Sequence, residues 1–148
     1  MSGPETLRVG LRIPAFERVD RLAQLAVEAE RLGFDEVWFP DSQLLWRDVF
    51  CVLTAAALRT ERIGLGSAVT NVITRHPTVI ASAARTVAEL APGRVRLGLG
   101  VGNSSLAPIG LPPATQRQMR EAIVTVRTLL AGGECRFGEL SARLRDPT

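Results

Sequence analysis

Apolar and polar positions along this chain alternate between two rhythms. Residues 7–13 (LRVGLRI) mix alternation with branched side chains and stop at Pro14, which predicts a strand. Residues 18–32 place apolar side chains at Val19, Leu22, Leu25, Ala26, Ala29 and Leu32. Those steps of three and four predict an amphipathic helix, closed by Gly33. Residues 36–39 (EVWF) form a second strand ahead of Pro40, and residues 48–59 a helix that is apolar almost all round. Residues 63–68 are the third strand. Pro77 fits the first position of a helix running to about residue 90, where Pro92 and Gly93 end it. Residues 95–99 are the fourth strand. A loop with Pro108, Gly110, Pro112 and Pro113 follows, then a helix over 115–131 ended by Gly132 and Gly133. From Glu134 on the pattern is irregular, with room for a small hairpin.

The order is four βα units in a row. Strand-then-helix units of roughly 30 residues with short return turns predict a parallel sheet with right-handed crossovers. Two architectures fit: an open doubly wound sheet, or half of an eight-stranded (β/α)8 barrel. The turn after the first strand, IPAFERVD, has no glycine, which argues against a dinucleotide-binding Rossmann unit. At 148 residues the chain is read as a single domain, with 46% hydrophobic residues for its core.

Charge narrows the partners. All 18 basic residues are arginine, and the net charge is only +3. The arginines are dispersed, whereas a nucleic-acid binder gathers them into a stripe, so no nucleic acid is expected. No run approaches the ~20 apolar residues of a membrane span, so no membrane is expected. The first residues lack the pattern of a signal peptide, and the expectation is a cytoplasmic protein. Cys51 and Cys135 make no close-spaced redox or metal pair; Cys51 reads as a small core residue. No metal site is expected.

Candidate chemistry gathers after the C-terminal ends of the strands, where α/β folds carry it. Pro40, Asp41 and Ser42 follow the second strand; Ser67, Ala68, Val69, Thr70 and Asn71 follow the third; and Gly98-x-Gly100-x-Gly102, then Asn103, follow the fourth. Glycines there would let a ligand approach the backbone. His76 stands alone and directly before a helix start, which favours a structural role. Trp38, inside a strand, reads as core. Trp46, in a loop, is the better candidate to stack on a ring.

Four segments carry a resemblance: RLGFDEVWFPDS (31–42), RIGLGSAVTNVITRHPTVIASAARTVAEL (62–90), GRVRLGLGVGN (93–103) and REAIVTVRTLLAGGE (120–134). Over residues 7–134 the chain resembles the luciferase-like flavin- and deazaflavin-dependent oxidoreductases. The resemblance implies a TIM barrel about twice this length, so that this chain is its N-terminal half, with an irregular tail over 135–148. It implies coenzyme F420 or FMN as cofactor, with hydride transfer or monooxygenation of a small organic substrate. It places Asp41, Ser42, Ala68, Val69, Thr70, Asn71, Gly102 and Asn103 at the cofactor, with a non-prolyl cis peptide at Ala68–Val69 backing the ring. Relatives often carry His at the position of Ser42 and an acid at that of Asn103. Neither residue here serves acid–base chemistry near neutral pH, so the catalytic residues are left unassigned. Open sheet edges imply self-association or a complementary half-barrel. The competing reading is a non-catalytic half-barrel remnant or partner subunit that folds only with a second half.

Overall fold

A computed structural model describes residues 7–145. Four parallel strands, β1 (Gly10–Arg12), β2 (Glu36–Phe39), β3 (Gly64–Asn71) and β4 (Val95–Gly100), form one sheet in sequential order. Helices α1 (Val19–Arg31), α2 (Val49–Ala57) and α3 (Pro77–Leu90) connect them. After β4 come a short helix α4 (Asn103–Leu106), one 3-10 turn, and α5 (Gln116–Leu130). The strand order has no reversal, so the doubly wound alternative is excluded, and the open sheet is that of a partial barrel.

The helices pack in succession on one face, α1 against α2, α2 against α3 and α3 against α5. Alternation along the strands follows from this. Val37, Phe39, Ile63 and Leu65 point to the helices and are buried with Leu22, Val52, Leu53 and Ile80. The opposite face carries Glu36, Trp38, Gly66, Gly98 and Gly100. A side chain at Gly66 would collide with the Trp38 ring, so the glycine is what lets the ring lie against β3. Trp38 is therefore a half-buried residue of the open face and not a core residue. Strand periodicity marks its alternation from Val37 and Phe39 but not which face is covered.

Local signals set the helix ends. Asp48 caps α2 by accepting from the N–H groups of Phe50 and Cys51. His76 caps α3 ahead of Pro77 and packs on Phe137, the structural role its position favoured. Thr115 and Gln118 form a capping box on α5. Four expectations change. Strand β1 covers only Gly10–Arg12 of the expected 7–13. Strand β3 runs three residues further than expected, so Thr70 and Asn71 lie in the sheet and not in a loop. The proline-containing loop after β4 opens with the α4 turn. Cys51 is exposed: α2 is apolar all round, so periodicity cannot mark its outward side. The tail contains an antiparallel hairpin, β5 (Cys135–Phe137) with β6 (Leu140–Ala142).

Candidate active site

The strand ends make one site because of an irregularity in β3. Ser67 pairs with Leu97 and Thr70 with Leu99, so β3 holds one residue more than β4 across this interval. This is a β-bulge, and bulges redirect side chains next to sites. Ser67 secures it: its Oγ donates to the Gly98 carbonyl at 3.0 Å and accepts from the Gly98 N–H at 3.1 Å. The Ala68–Val69 peptide within the bulge is cis.

The bulge also explains the glycines of β4. A Cβ on Gly98 would strike the Ser67 carbonyl and one on Gly100 the Val69 side chain. Both glycines make room for the bulge; they are not an open cradle for a ligand. Val69 ends up displayed on the open face, 45% exposed. Gly102 has a different task. Its φ of +87° is one that few other residues adopt, and it turns the chain from β4 into α4.

A cleft of about 550 Å3 lies over the bulge. Asp41 and Ser42 from the loop after β2, Ala68 and Val69 from the bulge in β3, and Gly102 and Asn103 from the turn into α4 line it. Thr70 and Asn71 do not. They are buried behind it, with side chains committed to protein partners. The Thr70 hydroxyl donates to Asp41 Oδ2 at 2.6 Å. Asn71 donates to Ser105 Oγ at 3.0 Å and its Oδ1 accepts from the N–H groups of Ile73 and Thr74. From β3, Thr70 thus ties down the loop after β2, and Asn71 ties down α4 and the turn after β3.

Asp41 is the centre of the charged part. Only 5% of its side chain is exposed, and it receives Nε of Arg75 at 2.9 Å. Arg75 also reaches Asp48 and lies 5.3 Å from the Phe50 ring centroid. Partial burial opposes charge on both Asp48 and Arg75. Hydrogen bonds from Arg75 and from the Cys51 and Phe50 N–H groups nevertheless hold the Asp48 carboxyl below its ordinary range. The two carboxylates push the guanidinium above its own. Partial desolvation and the Asp48 charge raise the Cys51 thiol, which disfavours a reactive thiolate. The triad is therefore a fixed clamp between the loops after β2 and β3.

The polar rim is made of neutral groups. Ser42 Oγ and Ser104 Oγ share a hydrogen bond at 2.7 Å, and the Gln43 amide donates to the Ser105 carbonyl at 2.8 Å. These contacts tie the loop after β2 to α4. Trp46 lines the cleft with Leu45, its ring 4.4 Å centroid to centroid from Phe16. Sequence reasoning missed Arg12, Asp48, Arg75 and Ser104. One signal was available. Asp41 and Arg75 follow adjacent parallel strands, so their loops must meet at one end of the sheet with opposite charges. Among the described residues no cluster of three His, Cys, Asp or Glu could hold a metal.

Comparison with known proteins gives concordant findings. A family model described as luciferase-like monooxygenase matches residues 3–147. The chain is 38% identical to an F420-dependent glucose-6-phosphate dehydrogenase of Beutenbergia cavernae, over 96% of this chain and 46% of that protein. It is 36% identical to a 5,10-methylenetetrahydromethanopterin reductase of Methanolobus tindarius, over 83% and 38%. Among solved structures, the coenzyme F420 dependent tetrahydromethanopterin reductase of Methanopyrus kandleri superimposes with a TM-score of 0.79 at 30% identity. That match covers 86% of this chain and 41% of the other. The chain thus spans less than half the length of these relatives.

Proposed function

Because the chain belongs to the luciferase-like monooxygenase family, we propose that its cleft holds the ring of coenzyme F420 or FMN beside a small organic substrate. The observation that carries this reading is the convergence of the Ala68–Val69 bulge, the Gly102–Asn103 turn and the Asp41–Ser42 loop on one cleft. Its volume lies within the ~300–1,000 Å3 of small-molecule sites. A planar ring fits this lining. The bulge and Val69 offer it a flat floor, Trp46 and Leu45 an apolar wall, and Ser42, Asn103 and Ser104 neutral hydrogen-bonding groups at the edge. The cofactor supplies the redox chemistry: hydride transfer from a deazaflavin, or oxygen activation as well from a flavin.

The chain's own residues bind and orient. Ser42 and Asn103 hold hydrogen bonds but exchange no proton near neutral pH. Asp41 is buried and engaged by Arg75 and Thr70. Proton transfer therefore falls to groups outside this set. Of the two cofactors we favour the deazaflavin, because several relatives at 30% identity or more carry F420 in their names. A second reading, a non-catalytic partner subunit, draws on the same lack of an acid–base side chain and on the free edges of β1 and β4. In either reading the open face invites a second half-barrel or a second copy. Among the described residues no helix is long and apolar enough to cross a membrane.

Fluorescence titration of the purified chain with F420 and with FMN tests the proposal. We expect saturable binding with F420 the tighter ligand. Affinity should be micromolar or weaker, since such barrels commonly hold phosphate at the loops after strands seven and eight. Trp46→Ala should weaken it further. No response to either cofactor at millimolar concentration would overturn the proposal.

A further inference from the structure

We propose that Arg12 is a substrate anchor, and that the substrate taken by this cleft is a monocarboxylate with an apolar body. The inference rests on reading the cleft as the ligand site. Arg12 is the last residue of β1, in register with Trp38, and lines the cleft. Two charged residues line the cleft, Arg12 and Asp41. Asp41 is buried and engaged by Arg75 and Thr70. Arg12 is exposed and, among the described residues, makes no hydrogen bond or ion pair. An arginine presents a rigid planar fork that matches a carboxylate with two parallel hydrogen bonds.

Charge matching favours a monoanion. The clamp behind the cleft holds two carboxylates, Asp41 and Asp48, against one guanidinium, Arg75, and so carries one net negative charge. Among the described residues Arg12 is the one cation lining the cleft and can pair directly with one ligand carboxylate. The second charge of a phosphate monoester would meet the residual field of that clamp without a cation to offset it. Apart from the polar rim of Ser42, Asn103 and Ser104, the mouth displays apolar side chains, with Leu45 at 65%, Val69 at 45% and Val101 at 40% exposure. These three side chains suit a hydrocarbon body.

Calorimetric titration with benzoate, benzamide and phenyl phosphate tests this, on the chain with and without bound F420. Cofactor titration of the wild-type chain reports separately on the ring site, so failure there and failure of the anchor are distinguishable. We expect benzoate to bind better than the isosteric benzamide. Arg12→Gln should weaken benzoate ten- to a hundred-fold, the range of a charge-assisted hydrogen-bond pair, and leave benzamide unchanged. Arg12→Lys should fall between, keeping the charge without the fork. Since, among the described residues, the Arg12 side chain has no hydrogen-bond or ion-pair partner, circular dichroism and thermal melting of both variants should match the wild type. Equal benzoate affinity in wild type and Arg12→Gln would overturn the anchor, as would undetectable benzoate binding to the wild-type chain. Phenyl phosphate binding tighter than benzoate would overturn the carboxylate and point to a phosphate group instead.

Discussion

The two ends of the sheet use their charged residues differently. At the end where the strands begin, charges close the backbone. The Glu30 carboxylate accepts from the N–H groups of Glu61, Arg62 and Ile63, at 2.6 Å for Arg62. Arg94 donates to the carbonyls of Ala57, Thr60 and Ile63 and to the Thr60 hydroxyl. Asp35 accepts from the Val9 N–H at 2.6 Å. At the end where the strands finish, charges pair with one another and fix loops, while hydroxyls, an amide and Arg12 are left facing a cleft. One end satisfies the chain's own peptide groups; the other holds side chains in place for something else.

Substitutions should therefore separate by end, and the largest effect belongs to the bulge. Gly98→Ala forces a methyl group against the Ser67 carbonyl, which is backbone and cannot move aside cheaply. We expect a loss of about 3 kcal/mol or more in denaturant unfolding, together with loss of cofactor binding. Next is Asp41→Asn, which leaves a largely buried guanidinium short of one partner and frees Thr70. About 3 kcal/mol is expected, and the loops carrying Ser42 and Asn103 should lose their mutual order. Arg94→Ala at the opposite end should cost about 2 kcal/mol through its lost carbonyl contacts, yet leave cofactor affinity of the folded fraction unchanged. Loss of affinity beyond that explained by unfolding would break the division between the ends.

Glu30→Gln should have the smallest effect, about 1 kcal/mol at pH 7, because the carboxylate is partly solvated. Burial works to raise its carboxyl, but three backbone N–H groups and the Arg62 charge hold it below its ordinary value. A lowered folded-state pKa gives stability that is complete above the unfolded pKa, about 4.3 for glutamate, and lost as pH falls through the folded value. The Tm difference between wild type and Glu30→Gln should thus be constant near neutrality and shrink below about pH 4. A difference that grows on acidification would contradict the assignment.

The elements of this fold were legible because each is marked twice. Helix α3 has its bounds written in Pro77 and in Pro92–Gly93, and β2 is enclosed by Gly33 and Pro40. Parallel order followed from the alternation of strand and helix. The cleft was legible in outline, since Asp41, Ser42, Gly102 and Asn103 follow strand ends and Ala68 and Val69 lie near the end of β3, so that all meet at one edge. What escaped depends on side-chain partners, which no periodicity encodes. Thr70 and Asn71 are polar residues after an apolar strand, a pattern shared by ligand contacts and buried struts. Gly98 and Gly100 match a ligand-binding glycine run, yet they accommodate Val69 from the neighbouring strand. Trp38 is apolar and lies in a strand, but half a barrel leaves one strand face uncovered.

The most direct test of the site is an amide chemical-shift titration of the isotopically labelled chain with F420. Shifts at Ala68, Val69, Gly102 and Asn103 should saturate together, with Glu61, Arg62 and Ile63 at the opposite end unmoved. Shifts confined to Glu61–Ile63 or to the β5–β6 hairpin, with the bulge silent, would contradict the assignment of the site.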